Sequence, residues 1–194
     1  PGVALRLRDV GIELDAVLEE VSPLVARVNQ HTLDAALVYT ASGYSLPFRR
    51  GVRTIQLLTD PLLLALPAHH WAAERQRFDR DSLLELEDSP WVFSATPGDT
   101  LDDVVRDAFA GRRFEVAVRT DDYSVALGMV AAGMGIGLVP RLAATRALEG
   151  VALRPIDDRR FAREILLAVA AVRGEPSPAV RQLAEAVRRT IETL

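Results

Sequence analysis

Apolar positions along this chain alternate between a spacing of two and a spacing of three and four. "VALRLRD" (Val3–Asp9) alternates apolar and charged residues, which predicts a half-buried strand. From Leu14 to Val28 the residues Leu14, Val17, Leu18, Val21, Leu24, Val25 and Val28 recur at helical spacing, with Pro23 either starting a new helix or kinking an existing one. "TLDAALVYT" (Thr32–Thr40) is a short apolar run rich in β formers, hence a buried strand, and Ala41–Gly51 is loop. "VRTIQLLTDPLLLALP" gives two extended runs split at Asp60-Pro61. The second is apolar throughout, as in a strand covered on both faces of a parallel sheet.

The second half continues the alternation. A short helix is predicted over Asp79–Ser89, a strand over Pro90–Ala95, and a helix carrying Leu101, Val104, Val105, Ala108 and Phe109. "FEVAVRT" (Phe114–Thr120) is a strand, "PRLAATRALEG" (Pro140–Gly150) a helix, and "VALRPID" (Val151–Asp157) and "REILLAVAAV" (Arg163–Val172) are strands. An amphipathic helix with Pro178 in its first turn closes the chain. Strands alternating with helices define an α/β architecture with a largely parallel sheet.

"YSVALGMVAAGMGIGLVP" (Tyr123–Pro140) has no charge and invites three readings. A membrane span needs about 20 apolar residues, and here Gly128, Gly133, Gly135, Gly137 and Pro140 interrupt a run bracketed by Asp121, Asp122 and Arg141. A dinucleotide fingerprint puts its glycines between a strand and the following helix; here Gly133, Gly135 and Gly137 follow a helical segment, and Leu138 stands where the third glycine belongs. The third reading is a helix stopped by Gly133 in the left-handed conformation. A strand follows, and its glycines let backbones approach closely.

Composition narrows the chemistry. The 194 residues are 49% hydrophobic and 26% charged with a net charge of -4, a globular profile poorly suited to neutralising nucleic-acid phosphates. All 23 basic residues are arginine and there is no cysteine, which excludes lysine Schiff bases, P-loop lysines, thiolate zinc sites and disulfides. His31, His69 and His70 form no metal-ligand pair at helical or strand spacing, so no metal or cofactor is expected. Glu85, Glu87, Asp102 and Asp103 fall on predicted helix surfaces, and no Ser-His-Asp constellation stands out. The best small-molecule signal is "SATPGDT" (Ser94–Thr100), which leaves a strand and enters a helix N-terminus, where free N–H groups receive anions unless Asp99 or Thr100 caps the helix instead. Thr40 and Ser42 form a second polar cluster at a strand end. No signal peptide is evident, so a cytoplasmic protein without membrane attachment is expected.

The segments "PGVALRLRD", "HTLDAALVY", "LLTDPLLLALPAHHWAA", "SPWVFSA" and "VALGMVAAGMGIGLVP", in this order and spacing, resemble the effector-binding domain of LysR-type transcriptional regulators over nearly the whole chain. The resemblance implies a two-lobed α/β fold like the type 2 periplasmic binding proteins, with two crossover strands and a small effector between the lobes. Lobe I would comprise residues 1–62 and 165–194, and lobe II residues 63–164. Under it, "PGVALRL" matches a second strand, so the chain is expected to be a fragment lacking the first strand and helix of lobe I and an upstream helix-turn-helix domain. Effector-contacting positions carried over are Gly11, Ile12, Thr40, Ala41, Gly98, Asp99, Thr100, Leu101 and Tyr123. The expected function is effector sensing, with no catalysis, in a homodimer or homotetramer that reaches DNA only through the upstream domain. Family effectors are often small carboxylates or aromatic acids. A solute-binding protein of the same fold, or a two-lobed α/β enzyme, are the alternatives.

Overall fold

The computed structural model describes residues 2–144, 148–171 and 175–191. The chain divides into two compact units: Pro1–Tyr39 with Ser45–Leu58 and Glu164–Leu194, and Thr40–Tyr44 with Thr59–Arg163.

In the first unit, helices α1 (Gly2–Asp9), α2 (Val21–Asn29) and α6 (Pro178–Ile191) accompany strand β1 (Ala35–Ala41), the start of β2 (Val52–Pro67) and most of β7 (Ala162–Ala170). The strands hydrogen-bond in the order β1-β7-β2. Period-two alternation sorts β7 between two layers. Leu166, Ala168 and Ala170 pack with Val25 and Val28 of α2, while Leu167 and Val169 pack with Val180 and Ala184 of α6. Pro23 lies in the first turn of α2, where a missing N–H costs no helical bond.

The strand expected over Val3–Asp9 is a helix. Val3, Leu5 and Leu7 fit a period of two, but Val3 and Leu7 also fit an i,i+4 face. Ala, Leu and Arg are good helix formers, and α6 offers α1 a packing partner. Leu7 is buried and Leu5 is half exposed, as the helical face requires.

In the second unit, β2 pairs antiparallel with β5 (Ile136–Pro140) and β6 (Val151–Pro155). β3 (Trp91–Phe93) pairs parallel with both β4 (Val116–Arg119) and β5. The apolar run Leu62–Leu66 is covered as expected, but its neighbours run antiparallel to it. The two extended runs form one continuous strand, because Pro61 lies just outside the β5 ladder, which begins at Leu62↔Pro140, and so removes no ladder bond. One face packs Ala65, Val92 and Val139 against Leu127 and Val130 of α5 (Tyr123–Ala131). Phe109, Phe114, Trp91 and Phe93 form an aromatic cluster with tilted and edge-on contacts. Two further helices, α3 (Arg80–Leu84) and α4 (Thr100–Ala108), and a 3-10 turn at Trp71–Glu74 complete the unit. The helix expected over Pro140–Gly150 is only a turn through Ala144, and residues 145–147 lie outside the described residues.

The uncharged run resolves into α5, a glycine stop and β5. Gly133 has φ +77, its N–H donates to Val130 O, and Met134 N–H donates to Met129 O, the paired bonds of a Schellman cap. No helix among the described residues is long and apolar enough to cross a membrane. A Cβ at Gly135 would lie 2.6 Å from the Pro90 carbonyl oxygen, and one at Gly137 3.3 Å from Val92 O. Gly135→Ala should therefore force β5 away from β3 and cost about 1–3 kcal/mol or more in urea unfolding, whereas Gly128→Ala, which meets open space, should not destabilise.

Candidate functional site

The residues singled out from the sequence fall into two groups. Gly11 and Ile12 lie in the first unit, where they end a helix rather than the expected strand. Gly11 has φ +73 and donates to Arg8 O, and Ile12 N–H donates to Leu7 O at 2.9 Å. Their backbone N–H groups are committed to the cap of α1.

Thr40, Ala41, Gly98, Asp99, Thr100, Leu101 and Tyr123 all lie in the second unit. Thr40 ends the apolar run of β1, is 1% exposed, and its hydroxyl has no hydrogen-bond partner among the described residues. Such a group normally finds a partner, because desolvation without compensation costs about 1–3 kcal/mol. Beside it, the Ala41 N–H donates to Thr100 Oγ1 at 2.8 Å, pinning the strand end to the first residue of α4. Gly98 makes the turn into that helix with φ +77. Asp99 is the N-cap, its carboxylate accepting the Leu101 N–H at 2.8 Å. The capping alternative therefore holds at this helix, and Leu101 turns inward with Val104, Val105 and Ala108.

The adjoining loop, Ser94–Gly98, is held by two aspartates. Asp102 accepts the Ser94 N–H at 3.2 Å, and burial pushes its carboxyl up to about 7 against that bond. Asp121 accepts from the Ser94 hydroxyl at 2.5 Å and from the Ala95 and Thr96 N–H groups at 2.9 and 3.1 Å. Burial alone would raise its pKa, but these donors outweigh it and hold the carboxyl below its ordinary value. Arg119 donates to Ser94 O at 3.1 Å. Arg106 and Arg119 line a cavity of about 430 Å³ with Gly98, Asp99, Asp102 and Asp103.

Tyr123 opens α5, whose N-cap Asp122 accepts from Ser124 N–H and Val125 N–H. The Arg163 guanidinium lies 5.9 Å from the Tyr123 ring centroid and pairs with Asp60 at 3.0 Å. Asp60, 2% exposed, also accepts the Leu142 N–H at 3.1 Å. The neighbouring Ala162 O accepts the Ser42 N–H at 2.8 Å, so the start of β7 links Tyr123 to the Thr40–Ser42 segment. Asp60, Arg163 and Asp121 were not among the sequence candidates. Their signal is a lone charge at the edge of an apolar run, which marks Asp60 and Arg163 but names no partner.

His70 is not arranged to activate the serine it faces. His70 Nδ1 accepts the Ala72 N–H at 3.2 Å, which leaves the proton on Nε2, facing Ser89 Oγ at 3.3 Å. A protonated Nε2 donates to the serine and cannot take its proton. Burial, with His69 beside it, lowers the His70 pKa and keeps the ring neutral.

Three strands, β1, β2 and β7, contribute residues to both units. The family model described as LysR substrate binding domain matches residues 3–192, and the chain belongs to that family, which is one of transcriptional regulators. Solved structures agree on the fold. The BenM effector binding domain with its effector benzoate shares 20% identity at a TM-score of 0.74, over 98% of this chain and 84% of that one. The reduced OxyR regulatory domain from Pseudomonas aeruginosa shares 22% at 0.73, over 97% and 90%. Full-length BenM shares 19% at 0.78, over 98% of this chain but 62% of that one. No curated protein sequence matches.

Two measurements probe the electrostatics. Between its ordinary value of 3.8 and about 7, the Asp102 carboxyl binds a proton in the folded state that the unfolded chain has released. Its contribution to stability therefore falls as pH rises through that window and is level above it. Asp102→Asn should gain on the wild type between pH 4 and pH 8 in urea midpoint, and a constant difference would contradict the burial. Asp60→Ala should cost about 3–5 kcal/mol by removing the buried carboxylate that Arg163 pairs with, with Asp60→Leu/Arg163→Met recovering much of it.

Proposed function

We propose that this chain is the effector-sensing and oligomerising domain of a LysR-type bacterial regulator, a cytoplasmic non-enzyme that acts on DNA through a helix-turn-helix domain upstream. The two compact units correspond to the two lobes of that domain. The observation that carries the reading is the buried, unpartnered hydroxyl of Thr40 beside the Ala41–Thr100 bond. It is a donor and acceptor held at a strand end, next to a helix N-terminus, where small ligands are received in α/β proteins.

The contacting surface comprises Thr40, Ala41, Gly98–Leu101 and Tyr123. Asp99 already takes the Leu101 N–H, so an effector oxygen is met by the threonine hydroxyls more than by free amides. BenM holds benzoate, and small aromatic and aliphatic acids are the class to test first. The effector can shift the regulator between two arrangements only by binding one more tightly than the other.

A thermal-shift panel of such acids should raise the melting temperature of the wild type for at least one member. Thr40→Val and Thr100→Val should each abolish or blunt that response. The same acid stabilising both variants as much as the wild type would remove Thr40 and Thr100 from the site. A solute-binding protein is the second reading; an export segment encoded upstream in place of a helix-turn-helix would establish it.

A further inference from the structure

The loop that delivers Thr100 and the helix that begins with Tyr123 come from different parts of the chain, and the Asp121 carboxylate is among the groups that join them. Asp121 lies between β4 and α5, one residue before the Asp122 cap. Four donors converge on it: the Ser94 hydroxyl, the Ala95 N–H, the Thr96 N–H and the Thr96 hydroxyl, the last at 3.1 Å from Oδ2. Two backbone N–H groups and two hydroxyls around one carboxylate make an anion nest at the C-terminal end of β3. The anion that fills it belongs to the protein. The Thr120 N–H donates to Phe93 O at 2.9 Å, and Thr120 Oγ1 accepts the Asp122 N–H at 3.2 Å, so the backbone on either side of Asp121 is fixed as well.

Resting on the effector reading above, we propose that Asp121 is a positioning residue of the effector surface, its carboxylate setting both the loop into α4 and the start of α5 so that Thr100 and Tyr123 are held together. Asp121 is itself exposed and need not touch the effector. Its exposure distinguishes it from a core residue, since removing it opens no cavity. What is lost is an anion from a four-donor nest, and a small free anion can replace that.

Hydrogen exchange on Asp121→Ala and the milder Asp121→Asn, in the whole chain and without effector, tests this directly. Exchange at Ala95 and Thr96 should rise by at least about tenfold, the scale of losing a charge-assisted bond. The rise should extend to Leu101 and to Ser124 and Val125, while Ile136 and Val139 of β5 stay protected. Sodium formate should restore protection in Asp121→Ala, and sodium chloride at equal ionic strength should not. Faster exchange confined to residues 94–96, loss that reaches β5 in both variants, or failure of formate to restore order would each overturn the proposal. No effector enters the measurement, so this outcome and that of the Thr40 and Thr100 variants are read independently.

Discussion

The arrangement of the second unit depends on one buried charge. Asp60 is 2% exposed within an apolar strand, and a carboxylate there survives only if its lone pairs are taken. Arg163 and the Leu142 N–H take them, from a strand and a turn that are distant in sequence. The pair stands where β2 and β7 enter the unit, since Thr59 and Arg163 are its limits on those strands. It therefore fixes the register of two strands at once. The same guanidinium lies against Tyr123, so the placement of a candidate effector contact follows from satisfying a charge beneath it.

Around that anchor the unit is organised by helix starts. Asp99, Asp122 and Asp79 each cap a helix with a side-chain carboxylate, and all three helices follow a turn from the sheet or its edge. These caps answer the chemical question raised by an anion-receptive helix N-terminus. Acidic side chains already meet the positive ends of α4 and α5, so under the proposed effector reading recognition would fall to hydroxyls and to the aromatic ring. The Asp121 nest follows the same rule, with the protein's own carboxylate at the donors a loop would otherwise offer to a ligand.

Much of this was legible in the residues. α4 follows from the apolar positions 101, 104, 105 and 108 behind a capping Asp99. α5, its glycine stop and β5 follow from Gly133, Gly135 and Gly137, because each substitution meets either a left-handed φ or a neighbouring carbonyl. α1 is read as a strand because Val3, Leu5 and Leu7 alternate, while Val3 and Leu7 alone also make a helix face that packs on α6. The direction of β2 was misread because an apolar run records coverage, not the polarity of its neighbours. Thr40 and Thr100 were visible as polar residues at element ends. Asp60 with Arg163, and Asp121 with Ser94–Thr96, were not, since pairing across 103 positions, or across 25 to 27, leaves no local pattern.

The uncharged run Tyr123–Pro140 has a consequence beyond the native fold. While the unit is folded, its strand half lies between β2 and β3 with its carbonyls and amides engaged. Once unfolded, the same residues are an uncharged, largely apolar segment of the kind that associates with copies of itself. Gly133, Gly135, Gly137, Pro140 and the Arg141 that follows oppose this, because glycine and proline disfavour extended stacking and the charge repels. Glycines needed for close packing in the folded unit thus also oppose self-association of the unfolded chain.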